Sequence, residues 1–181
     1  MAAGSTAVIS VRTAAATDAG CLAAFAERTF REAFAAQNRP EDVRAYVSHA
    51  YTESLQRREI VDPAVDTLLA EVDGMLVGFA QLRTGNAPAC VDTQRSIELW
   101  RFYIDSPWQG RGVAQALMST VETAARHREA RVLWLGVWER NARARAFYRK
   151  CGFVNVGAQK FVLGTEVQTD DVMARSLNSA Q

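Results

Sequence analysis

Apolar and polar positions alternate over residues 8–12, which predicts a short opening strand. Leu22, Phe25, Ala26, Thr29, Phe30 and Ala33 then recur at helical spacing. They predict a helix capped by Thr17 or Asp18 and running to about Gln37. Asn38-Arg39-Pro40 breaks it, and Pro40 suits the first turn of a second helix through Val43, Tyr46 and Val47. Residues 55–60 predict one or two more helical turns. Apolar runs at 67–72 and 75–82 flank Asp73-Gly74, a strong hairpin signal.

After a loop at 85–88, residues 96–104 predict a strand that begins polar and ends buried. A helix follows over 110–127, with Val113, Leu117, Val121 and Ala124 as its apolar stripe. Residues 131–137 predict a strand, and 141–150 a helix with Ala144, Phe147, Tyr148 and Cys151 on one side. Gly152 ends that helix. Two closing strands are expected at 154–163 and 168–174. A hairpin followed by a strand-helix-strand unit predicts a mixed sheet with helices on both faces. The expected organisation is a flexible tail at 1–7, a single domain over 8–177 and a short tail at 178–181.

Composition narrows the function classes. At 181 residues and 49% hydrophobic, the chain can bury a sizeable core in one domain. Its net charge of +1 supplies no broad attraction for nucleic acid or an acidic membrane. Cys21, Cys90 and Cys151 are odd in number and form no Cys-x-x-Cys pair, so neither a disulfide framework nor a zinc site is expected. No apolar run approaches the length of a membrane span, and the N-terminus lacks the pattern of a signal peptide. These features set the expectation of a cytoplasmic protein in a reducing compartment.

One strand-to-helix junction stands out, from Ile104 through Pro107, Trp108 and Gln109-Gly110-Arg111-Gly112-Val113-Ala114. Glycines let a backbone approach a ligand closely, and a helix start offers unpaired N–H groups and a positive dipole end. Arg111 adds a charge. The stretch fits a phosphate cradle or an ordinary turn. It lacks both the Lys-Ser/Thr ending of a P-loop and the third glycine of a dinucleotide fingerprint.

This stretch resembles the Gln/Arg-x-x-Gly-x-Gly/Ala signature of the GCN5-related N-acetyltransferases, with Gln109, Gly112 and Ala114 at the fixed positions. A second block, Asn141-x-x-Ala144-x-x-Phe147-Tyr148-x-x-x-Gly152-Phe153, is similar to the family's C-terminal pattern. The resemblance spans about 8–177. It implies an α/β (α+β) fold with a mixed, mostly antiparallel sheet of about seven strands. It also implies acetyl-CoA as cosubstrate, with no metal. Phe102, Tyr103 and Ile104 would form the strand that pairs with the pantetheine arm. Gln109, Gly110, Arg111, Gly112, Val113, Ala114 and Gln115 would hold the pyrophosphate, with Asn141 and Tyr148 beside the arm.

Acetyl transfer to an amine has two proton problems. A lysine-like amine is mostly ammonium, and its neutral form costs roughly 4–5 kcal/mol at pH 7. The leaving thiolate benefits from a proton, so a base and an acid are both useful. The resemblance places Tyr148 as the acid, against the alternative of a core tyrosine. Glu98, six residues before Ile104, is the base candidate, acting through water as in histone-type members. Its alternative is a solvated strand-start glutamate. Glu139 is a weaker base candidate, and a backbone N–H near Ile104 is the family-like oxyanion donor. Asn141 caps its helix, contacts the pantetheine, or does both. His49 and His127 lack a second plausible metal ligand nearby.

Phe30-x-x-x-Phe34-x-x-x-Asn38-x-Pro40-Glu41-Asp42 is similar to the N-terminal region of bacterial spermidine/spermine acetyltransferases. The same holds for 134–141 and for Gly157-Ala158-x-x-Phe161-x-x-Gly164-x-x-x-Gln168-Thr169-Asp170. The acceptor expected from this is a polyamine, with another small amine or a protein N-terminus or lysine as alternatives. A polyamine site should be acidic, and Glu27, Glu32, Glu41, Asp42, Glu98 and Glu139 are the available carboxylates. Phe34, Glu98 and Trp138 are the substrate-side candidates. A non-catalytic acyl-CoA sensor and an unrelated nucleotide-binding domain are the competing classes. Family members often dimerise through their C-terminal strands, so a homodimer is an open expectation.

Overall fold

A computed structural model describes residues 8–85, 87–92 and 95–177; the tails expected at 1–7 and 178–181 lie outside the described residues. Seven strands make one sheet: β1 (Ile9–Thr13), β2 (Val65–Val72), β3 (Met75–Arg83), β4 (Ser96–Ile104), β5 (Val132–Trp138), β6 (Val154–Leu163) and β7 (Glu166–Ser176). Their order across the sheet is β1-β2-β3-β4-β5-β7-β6. Every neighbouring pair is antiparallel except β4 and β5. The mixed, mostly antiparallel sheet expected from the sequence is the one observed.

Local chemistry explains the junctions. Asp73 (φ 49°) and Gly74 (φ 79°) are both left-handed, as a tight two-residue hairpin between β2 and β3 demands. Helix α1 (Ala19–Phe34) gives way to a single 3₁₀ turn at Ala35–Gln37, so the helix expected to reach Gln37 is tightened in its last turn. Pro40 opens α2 (Pro40–Ala50), and Thr52 caps α3 (Glu53–Val61) by accepting from the Leu55 amide.

Both faces of the sheet are covered. Helices α4 (Val113–His127) and α5 (Ala142–Lys150) pack on one face, where Leu117 and Val121 meet Leu99, Leu133 and Leu135. Helices α1 and α2 cover the other, with Leu22, Phe25, Phe30 and Val43 against Leu69 and Phe79. At about 25 cal/mol per Å² of apolar surface, these two layers supply most of the drive to fold.

The sheet is interrupted at its centre. β4 and β5 pair only through Ser96↔Val132, Ile97↔Leu133 and Glu98↔Trp134. On the other side of β4, Leu82 faces Leu99 and Gln81 faces Arg101, so Trp100 is an extra residue in the ladder. Such a bulge bends its strand and increases its twist. The later half of β4 then leaves β5 and borders a cleft. This corrects the expectation for 96–104: the strand is most buried at Ile97–Leu99, and Tyr103 and Ile104 are half-buried at the cleft edge.

A buried polar cluster backs the bulge. Arg101 donates to Glu59 at 2.6 Å and to Gln81 at 2.6 Å, and both charged side chains are at most 10% exposed. Gln81 also bonds Thr67, and Gln56 bonds Glu59 at 2.9 Å. The cluster ties α3 to three strands. Removing one partner strands a buried charge, which typically costs about 3–5 kcal/mol. Glu59→Leu should therefore lower the unfolding free energy by about that amount in urea melts. Adding Arg101→Met should recover part of the loss, and a Glu59→Leu loss below about 1 kcal/mol would contradict the role assigned to the pair.

Candidate active site

The central opening is a cleft of about 1020 Å³, large for a small-molecule site. β4, β5, α5 and the loop before α4 border one part of it. α1, α2, β6 and β7 border the rest.

The loop follows directly from the end of β4. Residues Ser106–Trp108 form a 3₁₀ turn, and the Gln109 amide of the side chain donates back to the Ile104 carbonyl at 3.0 Å. Gly110 (φ 78°) and Gly112 (φ 88°) both take left-handed backbone, and Gly112 is the N-cap of α4. That is why the helix starts at Val113 rather than at Gly110. Val113 is fully buried and pins the first turn to the core. The first amides of the helix have no intrahelical acceptor, an arrangement suited to an anion. Gln109, Gly110, Ala114 and Gln115 line the cleft; Arg111, Gly112 and Val113 do not. Arg111 is exposed, with its guanidinium 5.6 Å from the centre of the Trp108 ring.

Beyond Glu98, the edge of β4 that faces β5 has no strand partner among the described residues. Phe102, Tyr103 and Ile104 lie on this edge and line the cleft. α5 supplies the opposite wall. Asn141 accepts from the Ala144 amide at 3.0 Å, so its capping role is observed, and its side chain also borders the cleft. Tyr148 is packed edge-on against Phe102, Phe147 and Phe153, with centroid distances of 5.5–6.2 Å. Burial pushes the Tyr148 phenol well above its usual range, so it carries its proton at neutral pH. Tyr103 stacks on Phe79 at 5.5 Å and is likewise held neutral by burial.

The second part of the cleft is aromatic. Phe34 approaches Trp138 at 5.9 Å and Phe30 at 4.7 Å. Tyr46 stacks on Phe30 at 4.6 Å and meets Phe161 at 5.7 Å. Glu98, at 9% exposure, is paired with Arg83 at 2.5 Å, and Arg83 lies 4.0 Å from the centre of the Trp100 ring. One Glu98 oxygen is thereby taken, and the other has no partner among the described residues.

The remaining acidic candidates fall mostly elsewhere. Glu27 pairs with Arg31, and Glu41 with Arg39. Asp42 is buried and accepts from the Thr165 amide at 2.9 Å, fastening α2 to the β6–β7 turn. Glu139 is exposed and does not line the cleft. Glu32 does line it, paired with Arg28 at 2.9 Å. His49 is exposed on α2 and His127 in the last turn of α4, and neither lines the cleft. Sequence reading missed Tyr46, Gln159, Phe161 and Asp170 as cleft residues. Asp170 lay within a quoted motif, and only the pairing of β7 with β5 brings it to the site.

Among the described residues no group of three or more metal-ligating side chains converges, and no helix is long and apolar enough to cross a membrane. The family model for Acetyltransferase (GNAT) family matches residues 24–153. An uncharacterised N-acetyltransferase of Mycobacterium tuberculosis (strain ATCC 25618 / H37Rv) is 37% identical over 161 residues, covering 89% of this chain and 99% of its own. Another, from Lactobacillus delbrueckii subsp. lactis, is 31% identical over 85% of this chain and 89% of its own. Among solved structures, the PaiA N-acetyltransferase of Thermoplasma acidophilum in complex with coenzyme A superposes with a TM-score of 0.77 at 20% identity, covering 93% and 99% of the two chains. A Salmonella typhimurium acetyltransferase with its cofactor acetyl-CoA gives 0.66 at 18% identity, covering 95% of each. With a glycine loop, a parted strand pair and a buried tyrosine on one cleft, and with these relatives, the chain belongs to the GNAT family of N-acetyltransferases.

Proposed function

We propose that this N-acetyltransferase moves the acetyl group of acetyl-CoA to a primary amine of a polyamine such as spermidine or spermine. The observation that carries the transfer reading is the unpaired edge of β4, which opens beside the glycine loop and Tyr148. An unpaired strand edge is a row of backbone donors and acceptors suited to an extended amide-bearing arm. The left-handed glycines and free amides at the start of α4 suit a pyrophosphate. The aromatic wall of Phe34, Tyr46, Trp138 and Phe161 supports a cationic acceptor, since ring faces attract ammonium groups.

In this reading acetyl-CoA supplies an activated thioester. Gln109, Gly110 and the first amides of α4 hold its pyrophosphate, with Arg111 adding charge from the rim. The β4 edge from Phe102 to Ile104, together with Asn141, holds the pantetheine arm. A backbone N–H near Ile104 receives the charge that develops on the acetyl oxygen. Tyr148 donates its phenolic proton to the departing sulfur. Glu98 takes the amine proton through water, using the carboxylate oxygen that Arg83 leaves free. The amine gives up two protons, one ending on the thiol and one in solvent, so the proton count balances.

Thiol release from acetyl-CoA across polyamines, aminoglycosides, amino acids and peptides tests the reading. Release should be fastest with polyamines; tight acetyl-CoA binding without turnover on any amine would indicate a sensor instead. Tyr148→Phe should lower kcat by about 10²–10⁴ with the acetyl-CoA Kd unchanged, the range for loss of a positioned acid. An unchanged kcat would remove Tyr148 from that role. Gly112→Ala forces an L-residue into left-handed backbone at about 1–2 kcal/mol. The free loop relaxes out of that geometry and must regain it on binding, so isothermal titration should show the acetyl-CoA Kd raised by about tenfold, at 1.4 kcal/mol per decade, and an unchanged Kd would argue against the loop as the pyrophosphate site.

A further inference from the structure

Three carboxylates line the cleft, and they differ in what neutralises them. Glu32 is paired with Arg28, and Glu98 with Arg83. Asp170 has no cationic partner among the described residues, although it is more than half withdrawn from solvent. Burying an uncompensated charge is costly. A carboxylate left so, on the wall of an open cleft, is the feature a cationic ligand would complete.

Its position is specific. Asp170 on β7 pairs directly with Trp138 on β5 and with Gln159 on β6. The Asp170 and Gln159 side chains lean over Gly136, where a β-carbon would sit 3.3 Å from Asp170 Oδ2 and 2.6 Å from Gln159 Nε2. β5 forms one border of the parted strands, so Asp170 lies one strand beyond the gap, about 4.8 Å further across the sheet. Tyr148 and the free edge of β4 flank the gap itself. Trp138, Asp170's partner on β5, has Phe34 5.9 Å away, and Tyr46 and Phe161, in contact with each other, line the same cleft.

We infer that Asp170 holds the second, non-reacting ammonium of an acceptor that carries two amino groups, while the first reaches the gap between β4 and β5. The inference rests on the transfer reading for the identity of the reacting end. The aromatic rings cover the methylene chain and add cation–π attraction. The offset of one strand places Asp170 beside the substrate's body rather than at the reacting atom.

Charged groups face Asp170 from several elements, and Arg143 and Lys150 of α5 line the same cleft. Burial, then the neighbouring Asp171 and Glu139, push its pKa up to about 6. Asp171 is itself paired with Arg145 at 2.7 Å, and Arg140 lies 5.9 Å from the centre of the Trp138 ring. Across the cleft stand the Glu98–Arg83 pair, Arg101 held by Glu59, and Glu32 held by Arg28. Tyr46, Tyr51, Tyr103 and Tyr148 also line the cleft, and burial keeps each neutral. The folded state favours the proton on Asp170, so stability falls as pH rises from about 4 towards 6. Asp170→Asn should then melt higher than wild type at pH 8, with the difference shrinking towards pH 4. A variant less stable at pH 8 would mean that Asp170 has a structural partner and would overturn the inference.

The decisive test is calorimetric titration of protein saturated with coenzyme A, using an α,ω-diaminoalkane and the monoamine of equal length. A charge-assisted hydrogen bond is worth about 1.5–3 kcal/mol, so wild type should bind the diamine about 10- to 100-fold more tightly. Asp170→Asn should bind both amines alike. Equal affinities in wild type, or an unchanged preference in the variant, would overturn the assignment. Thiol release measured alongside reports on acetyl transfer alone: its absence would sink the transfer reading and leave the binding comparison valid.

Discussion

The whole site depends on one constraint: two parallel strands at the centre of the sheet pair for three residues and then part. A continuous sheet would satisfy its backbone internally and leave nothing to offer a ligand. Here the extra residue at Trp100 bends β4 away, and the polar groups that β5 would have taken face an opening. The cleft is therefore a gap in the hydrogen-bond ladder, set into the middle of a well-packed domain. Strands β4, β5, β6 and β7 border it together with helices α1, α2 and α5 and the loop before α4.

Parting the strands has to be stabilised. The bulge is buttressed on one side by Arg101, whose guanidinium lies 3.7 Å from the centre of the Trp100 ring while its Nη1 bonds Glu59 and Gln81. On the other side, Phe102 stacks on Phe147 at 5.6 Å and contacts Tyr148, which ties the free strand to α5. The glycine loop continues from the same strand, and Val113 locks the helix that follows into the core. Strand edge, anion end and buried phenol thus reach one cleft because each is anchored to the same core layer.

Much of this was legible in the sequence wherever the signal was local. Asp73-Gly74, Pro40, Asn141 and Gly152 each act within a few residues of themselves, and each performs the expected job. The two motif blocks identified the loop and Tyr148 because their spacing is carried on single elements. What stayed hidden depends on pairing between distant segments. The bulge is defined by the register of β4 against β3, and no residue near Trp100 announces it. Glu98 was the base candidate, with a solvated strand-start carboxylate as its alternative; cross-strand register with Arg83 gives it a partner that no local pattern shows. Asp42 looked available for a substrate and instead fastens a turn more than a hundred residues away. Asp170 reaches the cleft only because β7 inserts between β5 and β6.

The central claim is that an extended ligand completes the sheet along β4 while the loop before α4 grips its anionic end. Amide hydrogen exchange with and without acetyl-CoA tests this most directly. The account predicts slowed exchange at unpaired amides of Leu99–Ile104 and at 109–115, with the β1–β2 and β2–β3 pairings unchanged. Protection absent from β4, or confined to another face of the sheet, would contradict it.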